Sequence, residues 1–256
     1  MEKQVALVTG SSQGIGRAIA EKLSDSGFAI ALNDISNIDA LNSALLDFKA
    51  RGRSVCAAAF DVADIARHEE KLDRIEAELG PITTLVNNAG VGVLSRGDLL
   101  DVTEESFDRC MNINAKAVFF LTQAFAKRVL ARKRQPELFY SVINVTSSNA
   151  SAVAVARAEY CASKAAASMI SKSFAVRLGA ANIPVFDIQP GLIDTPMTEA
   201  VIDSYSARAA DGLCLMPRVG KPEEVGRVVA TLAINGLPYT TGHVISVDGG
   251  MLVPRY

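Results

Sequence analysis

Val5-Ala6-Leu7-Val8-Thr9-Gly10-Ser11-Ser12-Gln13-Gly14-Ile15-Gly16 decides the fold. Val5–Thr9 reads as a buried strand, and Gly14–Ser26 as a helix with Ile15, Ala18, Ile19 and Leu23 at helical spacing. Glycines between a strand and a helix allow a tight turn and close helix packing. They also let the backbone approach a pyrophosphate, which the free N–H groups and positive dipole end of the helix attract. Glycine-rich turns also arise for purely conformational reasons. Its place, with a strand before and a helix after near the start of the chain, favours a dinucleotide site. Gly10, Ser12, Gln13, Gly14, Ile15 and Gly16 are then its candidate cofactor contacts. A P-loop is excluded, because no G-x-x-x-x-G-K-[ST] occurs.

The alternation continues outward. Strands are expected at Ala29–Leu32, Val55–Phe60, around Leu85–Val86, and at Val142–Val145, Val185–Ile188 and Val244–Val247. Helices are expected at Leu41–Arg51, Ile65–Leu79, Phe107–Arg132 (largely helical), Glu159–Leu178 and from about Pro222. Repeated strand–helix–strand units imply a parallel sheet of about seven strands with helices on both faces, a doubly wound α/β Rossmann fold. With no linker-like stretch and no repeat, one domain over residues 1–256 is expected.

Composition excludes several functions. The chain has 256 residues, 49% hydrophobic and 21% charged, and a net charge of −2 that argues against a general nucleic-acid binder. The densest basic run, Arg128–Arg134, reads as a solvated helix end complementing the dipole. His68 and His243 are the only histidines and no C-x-x-C occurs, so neither a metal site nor a His-based triad is expected. Cys56, Cys110, Cys161 and Cys214 read as reduced, mostly buried thiols. Neither a signal-peptide core nor a membrane span is expected, and the expectation is a cytoplasmic protein.

Asp34 closes the second strand, where a carboxylate can accept hydrogen bonds from the adenosine ribose hydroxyls and repel the 2′-phosphate of NADP. Ile35 and Gln13 supply no cation for that phosphate, so NAD is favoured over NADP; a turn or cap role for Asp34 is the alternative. Asp61, with Val62 after the third strand, is a candidate partner for the adenine amino group or a plain loop aspartate.

Tyr160 and Lys164 lie four apart on one helix face. A phenol has a reference pKa near ~10, and a neighbouring cation lowers it toward use as a general acid/base. Thirteen residues before Tyr160, Ser147 ends a strand, where a hydroxyl can hydrogen-bond a substrate oxygen. A helix-capping or turn serine is the other reading, and it suits Ser148 as well.

These motifs in order resemble the short-chain dehydrogenases/reductases: Thr9–Gly16, Asn87-Asn88-Ala89-Gly90, Asn112-Ile113-Asn114, Ser147, Tyr160/Lys164, Pro190-Gly191 with Thr195, and Asp248-Gly249-Gly250. The resemblance spans essentially the whole chain. It implies Tyr160 as general acid/base, Lys164 as lowering its pKa and binding the nicotinamide ribose, and Ser147 as orienting the carbonyl. It implies that Asn114 holds a water linked to Lys164, and that Asn88, Ala89 and Gly90 line the adenosine side. Beyond Pro190 and Gly191, Ile193 and Thr195 would contact the carboxamide. It further implies a homotetramer and interconversion of a secondary alcohol and a ketone. The long irregular insert at about 195–215, between a strand and the next helix, reads as the substrate lid. The likeness is greatest to 3-oxoacyl-(acyl carrier protein) reductases and is shared by sugar and polyol dehydrogenases. Asp34, and Val176 where those reductases place a carrier-docking arginine, speak against the carrier-protein substrate with NADP(H). A non-catalytic dinucleotide sensor on the same fold is the remote alternative.

Overall fold

The computed structural model describes residues 3–35 and 38–255. Seven strands form one parallel sheet: β1 (Val5–Val8), β2 (Ala29–Asp34), β3 (Val55–Ala59), β4 (Thr84–Asn87), β5 (Ser141–Val145), β6 (Val185–Pro190) and β7 (Val244–Val247), in spatial order β3-β2-β1-β4-β5-β6-β7. The helices are α1 (Gly14–Asp25), α2 (Ile38–Ala50), α3 (His68–Leu79), α4 (Glu104–Met111), α5 (Ala117–Ala131), α6 (Ala158–Gly179), α7 (Ile202–Arg208) and α8 (Pro222–Ala233).

Strand parity assigns the layers. Val5 and Leu7 face a core shared with Leu72 of α3, Leu121 of α5 and Leu178 of α6. Ala6 and Val8 face the opposite core with Ile19 of α1, Phe48 of α2 and Val229 of α8. Buried on both faces, these strands read as continuous apolar runs rather than alternating ones. The strand order reverses between β1 and β4, and the crevice at their carboxyl ends is the place where such sheets bind ligands.

Three expectations differ from what is found. The helix expected over Phe107–Arg132 is interrupted by a π-helical turn, Asn112–Lys116, between α4 and α5. The basic run is not a simply solvated helix end. Arg128 pairs with Glu69, Asp73 and Glu76 of α3, and Arg132 pairs with Glu76. The apolar run Val244–Val247 reads as a buried strand, yet among the described residues β7 is an edge strand paired with β6 alone, and Val244 is exposed. All four cysteines are buried and free. Among the described residues no helix is long and apolar enough to cross a membrane, and no cluster of side chains is arranged to hold a metal ion.

Candidate active site

The glycine turn is locked from two sides. Thr9 Oγ1 accepts from the N–H groups of Asn88 and Ala89 at 2.9 Å each. Asn88 Nδ2 donates to the carbonyls of Thr9 and Gly10 at 2.9 and 3.0 Å. Gly16 is required by proximity, since a Cβ there would lie 2.1 Å from the Gly10 carbonyl oxygen and 2.5 Å from Asn88 Nδ2. Gln13, the N-cap of α1, makes no side-chain cap bond. A Cβ on Gly14 would rest 3.7 Å from that of Thr195, so the segment after β6 comes down onto the turn.

Asp34 is buried at the end of β2, its carboxylate accepting from Ser12 Oγ and from the Ile35 N–H. Asn33 beside it accepts from Gly10 N–H at 3.4 Å and donates to the carbonyls of Ala58 and Phe60. Asn33 thus ties the glycine turn to β3, a structural role the sequence reading missed. Asp61 Oδ1 accepts from Ala63 N–H and so makes a turn. The Val62 carbonyl bonds the buried ring of His68 at 2.8 Å.

Ser147, Tyr160 and Lys164 meet beyond the end of β5. Ser147 Oγ accepts from Asn149 N–H, and the Ser147 hydroxyl is near enough to the Tyr160 phenol to favour its ionised form. Lys164 is buried in α6, its Nζ 5.7 Å from the centre of the Tyr160 ring and donating to the Val145 carbonyl at 3.2 Å. Asn114 sits in the π-helical turn. Its Oδ1 accepts from Val91 N–H, and its Nδ2 donates to the Val91 carbonyl and to Ser163 Oγ. The space beside Gly90 is bounded by Asn114 Oδ1 and Lys164 Nζ, which a Cβ there would meet at 3.1 and 3.3 Å. The Asn-Ala-Gly segment, the π-helical turn and α6 therefore converge on one point. Ile193 is buried and bridges to Gly220, and Thr195 Oγ1 pairs with Thr198 Oγ1. Pro190 ends β6, and Gly191 N–H bonds the Val247 carbonyl.

Burial raises the Tyr160 phenol, and what opposes it is the Ser147 hydrogen bond and the positive charge of Arg157. Burial also lowers Lys164 to about 8, with the Asp187 carboxylate acting the other way. Asp187 went unnoticed in the sequence, although a carboxylate inside the apolar run of β6 is a readable signal. It is buried and accepts from Thr146 Oγ1, from Ser168 Oγ at 2.6 Å and from Gln189 Nε2 at 3.1 Å. That one carboxylate joins the residue before Ser147, the helical turn after Lys164 and the residue before Pro190.

Comparison with known proteins agrees with this architecture. A family model described as "Enoyl-(Acyl carrier protein) reductase" matches residues 10–252. The 3-oxoacyl-[acyl-carrier-protein] reductase FabG of Thermotoga maritima is 33% identical over 99% of both chains. The gluconate 5-dehydrogenase of Gluconobacter oxydans is 32% identical over 97% of this chain and 94% of its own. The structure of a 3-oxoacyl-[acyl-carrier protein] reductase from Brucella melitensis in complex with NAD superimposes with a TM-score of 0.95 at 34% identity, covering both chains fully. The chain belongs to the short-chain dehydrogenase/reductase family and is an oxidoreductase acting on CH–OH or keto groups.

Proposed function

We propose that the protein is an NAD(H)-dependent dehydrogenase that interconverts a secondary alcohol and a ketone, with Tyr160 as general acid/base. The observation that carries this reading is the placement of Tyr160 against the Ser147 hydroxyl beyond the end of β5, one helical turn from buried Lys164. The residues fit a dinucleotide: Gly16 leaves the space a backbone-lined turn needs, and Asp34 places an acceptor beside it. Gly10, Ser12, Gln13, Gly14, Ile15, Gly16, Asp34, Asp61, Val62 and Asn88–Gly90 would hold the adenosine and pyrophosphate side. Tyr160, Lys164, Pro190, Gly191, Ile193 and Thr195 would hold the nicotinamide side.

A bound nicotinamide supplies the hydride acceptor or donor. In oxidation, the alcohol proton passes to Tyr160 Oη as the C–H electron pair leaves with the hydride; in reduction, the phenol returns that proton to the carbonyl oxygen. Ser147 hydrogen-bonds the same oxygen and holds it against the phenol. Asn114 fixes the loop carrying Val91 and the helix carrying Ser163, and so holds both walls of the site.

The 195–215 segment is read as the substrate lid, because Tyr205, Ala209 and Cys214 pack with Leu192 as a small separate core above the sheet. One domain accounts for the single sheet. A homotetramer is supported by exposed apolar residues on α5 and α6, namely Phe119, Met169 and Val176, and by Val244 and Val253 near the carboxyl end. The FabG relative supports a second reading, NADP(H)-dependent reduction of 3-oxoacyl thioesters; Asp34 opposes it.

Turnover of alcohols and ketones with NAD or NADP at the nicotinamide absorbance band tests the assignment. Tyr160→Phe should retain nucleotide affinity and lose about 10²–10⁴-fold in kcat. Unchanged turnover would reject Tyr160 as acid/base.

A further inference from the structure

Around the Tyr205 hydroxyl, next to Tyr160, lie two guanidiniums to which the roles assigned above give no ligand. Arg157 ends the short 3-10 turn Val155–Arg157 that leads into α6, and its guanidinium carbon is 5.5 Å from the centre of the Tyr160 ring. Arg96 belongs to the loop after β4, and its Nη2 reaches Tyr205 Oη at 3.5 Å. The two segments are joined directly, since Gly97 N–H donates to the Ala156 carbonyl. Tyr205 is buried on α7 in the 195–215 segment, its hydroxyl facing Arg96, with the Arg157 charge acting on it as well. Among the described residues neither guanidinium forms an ion pair, whereas Arg17, Arg53, Arg128 and Arg218 each do. Burial alone would raise the Tyr205 phenol, yet the Arg96 hydrogen bond and the Arg157 charge bring it below its ordinary value. Two arginines from segments distant in the chain thus meet at the Tyr205 hydroxyl, and one of them, Arg157, lies over the ring of the catalytic tyrosine.

We propose that Arg96 and Arg157, with the Tyr205 hydroxyl, form a carboxylate subsite, and that the substrate is a short hydroxy acid or keto acid. The inference rests on the reading of Tyr160 as acid/base. A planar guanidinium fork matches a planar carboxylate with two parallel hydrogen bonds. Because Arg157 lies over the Tyr160 ring, the acid group sits only a few bonds from the carbinol carbon.

The test uses substrates matched in length and differing in charge: D-gluconate against D-glucitol, and 3-hydroxybutyrate against its methyl ester. In the wild type the acids should be turned over with the higher kcat/KM. Arg157→Gln should lower kcat/KM for the acids by about 10–150-fold, the worth of a lost hydrogen bond to a charged group. Because the Arg157 charge also eases loss of the Tyr160 proton, the neutral partners should slow too, but by clearly less than the acids, and Arg157→Lys should recover part of the loss. Arg96→Gln is an exposed change that leaves the Tyr160 ring untouched, and it should show the same selective loss. Calorimetric titration of D-gluconate into the NADH complex should weaken in parallel in both variants. Equal losses for acid and neutral substrates would overturn the subsite, as would a wild type that prefers glucitol 6-phosphate to gluconate. If Tyr160→Phe is inactive while the acid-to-neutral ratio survives Arg157→Gln, only the subsite fails. If Tyr160→Phe retains turnover, the underlying reading fails.

Discussion

Replacing Asp34 by serine should exchange the nucleotide preference of the enzyme. The carboxylate is buried at the end of β2 and oriented by Ser12 Oγ and the Ile35 N–H, so it cannot swing away from a group placed beside it. A ribose carrying free hydroxyls gains charge-assisted hydrogen bonds there, worth about 1.5–3 kcal/mol, or about 10–150-fold in kcat/KM for NAD. A 2′-phosphate at about 5 Å meets a repulsion of about 3 kcal/mol per unit charge at an effective dielectric near 20, a factor of roughly 10²–10³. Asp34→Ser should therefore lower kcat/KM for NAD about 10–150-fold and raise it for NADP by about 10² or more. The assay is steady-state kinetics with each nucleotide at saturating alcohol, with Kd for NADH and NADPH from nucleotide fluorescence. A wild type that prefers NADPH, or a variant whose NAD to NADP ratio stays within a factor of three, would refute the role given to Asp34.

Gly16→Ala forces a Cβ to within 2.1 Å of the Gly10 carbonyl oxygen, a backbone atom of the turn that no side-chain rotation can move aside. It should cost about 1–3 kcal/mol in urea unfolding and weaken NADH binding at least tenfold; an unchanged Kd would deny the turn its cofactor role. Lys164, at about 8 in the folded state against about 10.4 unfolded, is a group whose charge folding disfavours. Its cost to stability is present in full below about pH 8 and is relieved as pH rises toward 10.5, where the unfolded chain holds the extra proton. Lys164→Met should accordingly gain up to about 3 kcal/mol at pH 7, less the lost bond to Val145, and flatten stability between pH 8 and 10. A variant less stable at pH 7 with the slope retained would contradict this.

The parts legible in the sequence are those for which a local pattern and its position agree. Gly10, Gly14 and Gly16 follow an apolar strand and open a helix, and both neighbours form as read. Ser147 and Tyr160 are separated by a short loop, so a strand end and a helix face meet with little freedom between them. What escaped reading depends on long-range closure or on local departures from regular geometry. Arg96 and Tyr205 are 109 residues apart, and no periodicity in either segment points to the other. The π-helical turn at Asn112–Lys116 leaves the apolar spacing of α4 and α5 intact, so the run reads as one helix. Arg128 and Arg132 read as a solvated end because their acidic partners on α3 come from a different unit of the fold. β7 reads as buried from its composition, but strand order makes it an edge, and strand order is not written in any one segment.

Burial sets the resting protonation of the site, and the charges around it set the direction in which it is displaced. It raises Tyr160 and lowers Lys164, so both groups are pushed toward neutrality at the same place. A protonated phenol is the acid that ketone reduction requires, and it is the form burial favours. Alcohol oxidation needs that proton gone, and the features that ease its loss are the Ser147 hydrogen bond and the Arg157 charge. A carboxylate held on Arg157 cancels part of that charge and keeps the phenol protonated. On the proposed subsite, a keto acid therefore arrives with the means of stabilising the acid form that reduces it. The hydroxy acid must be oxidised against the same effect, which places efficient oxidation at higher pH than reduction.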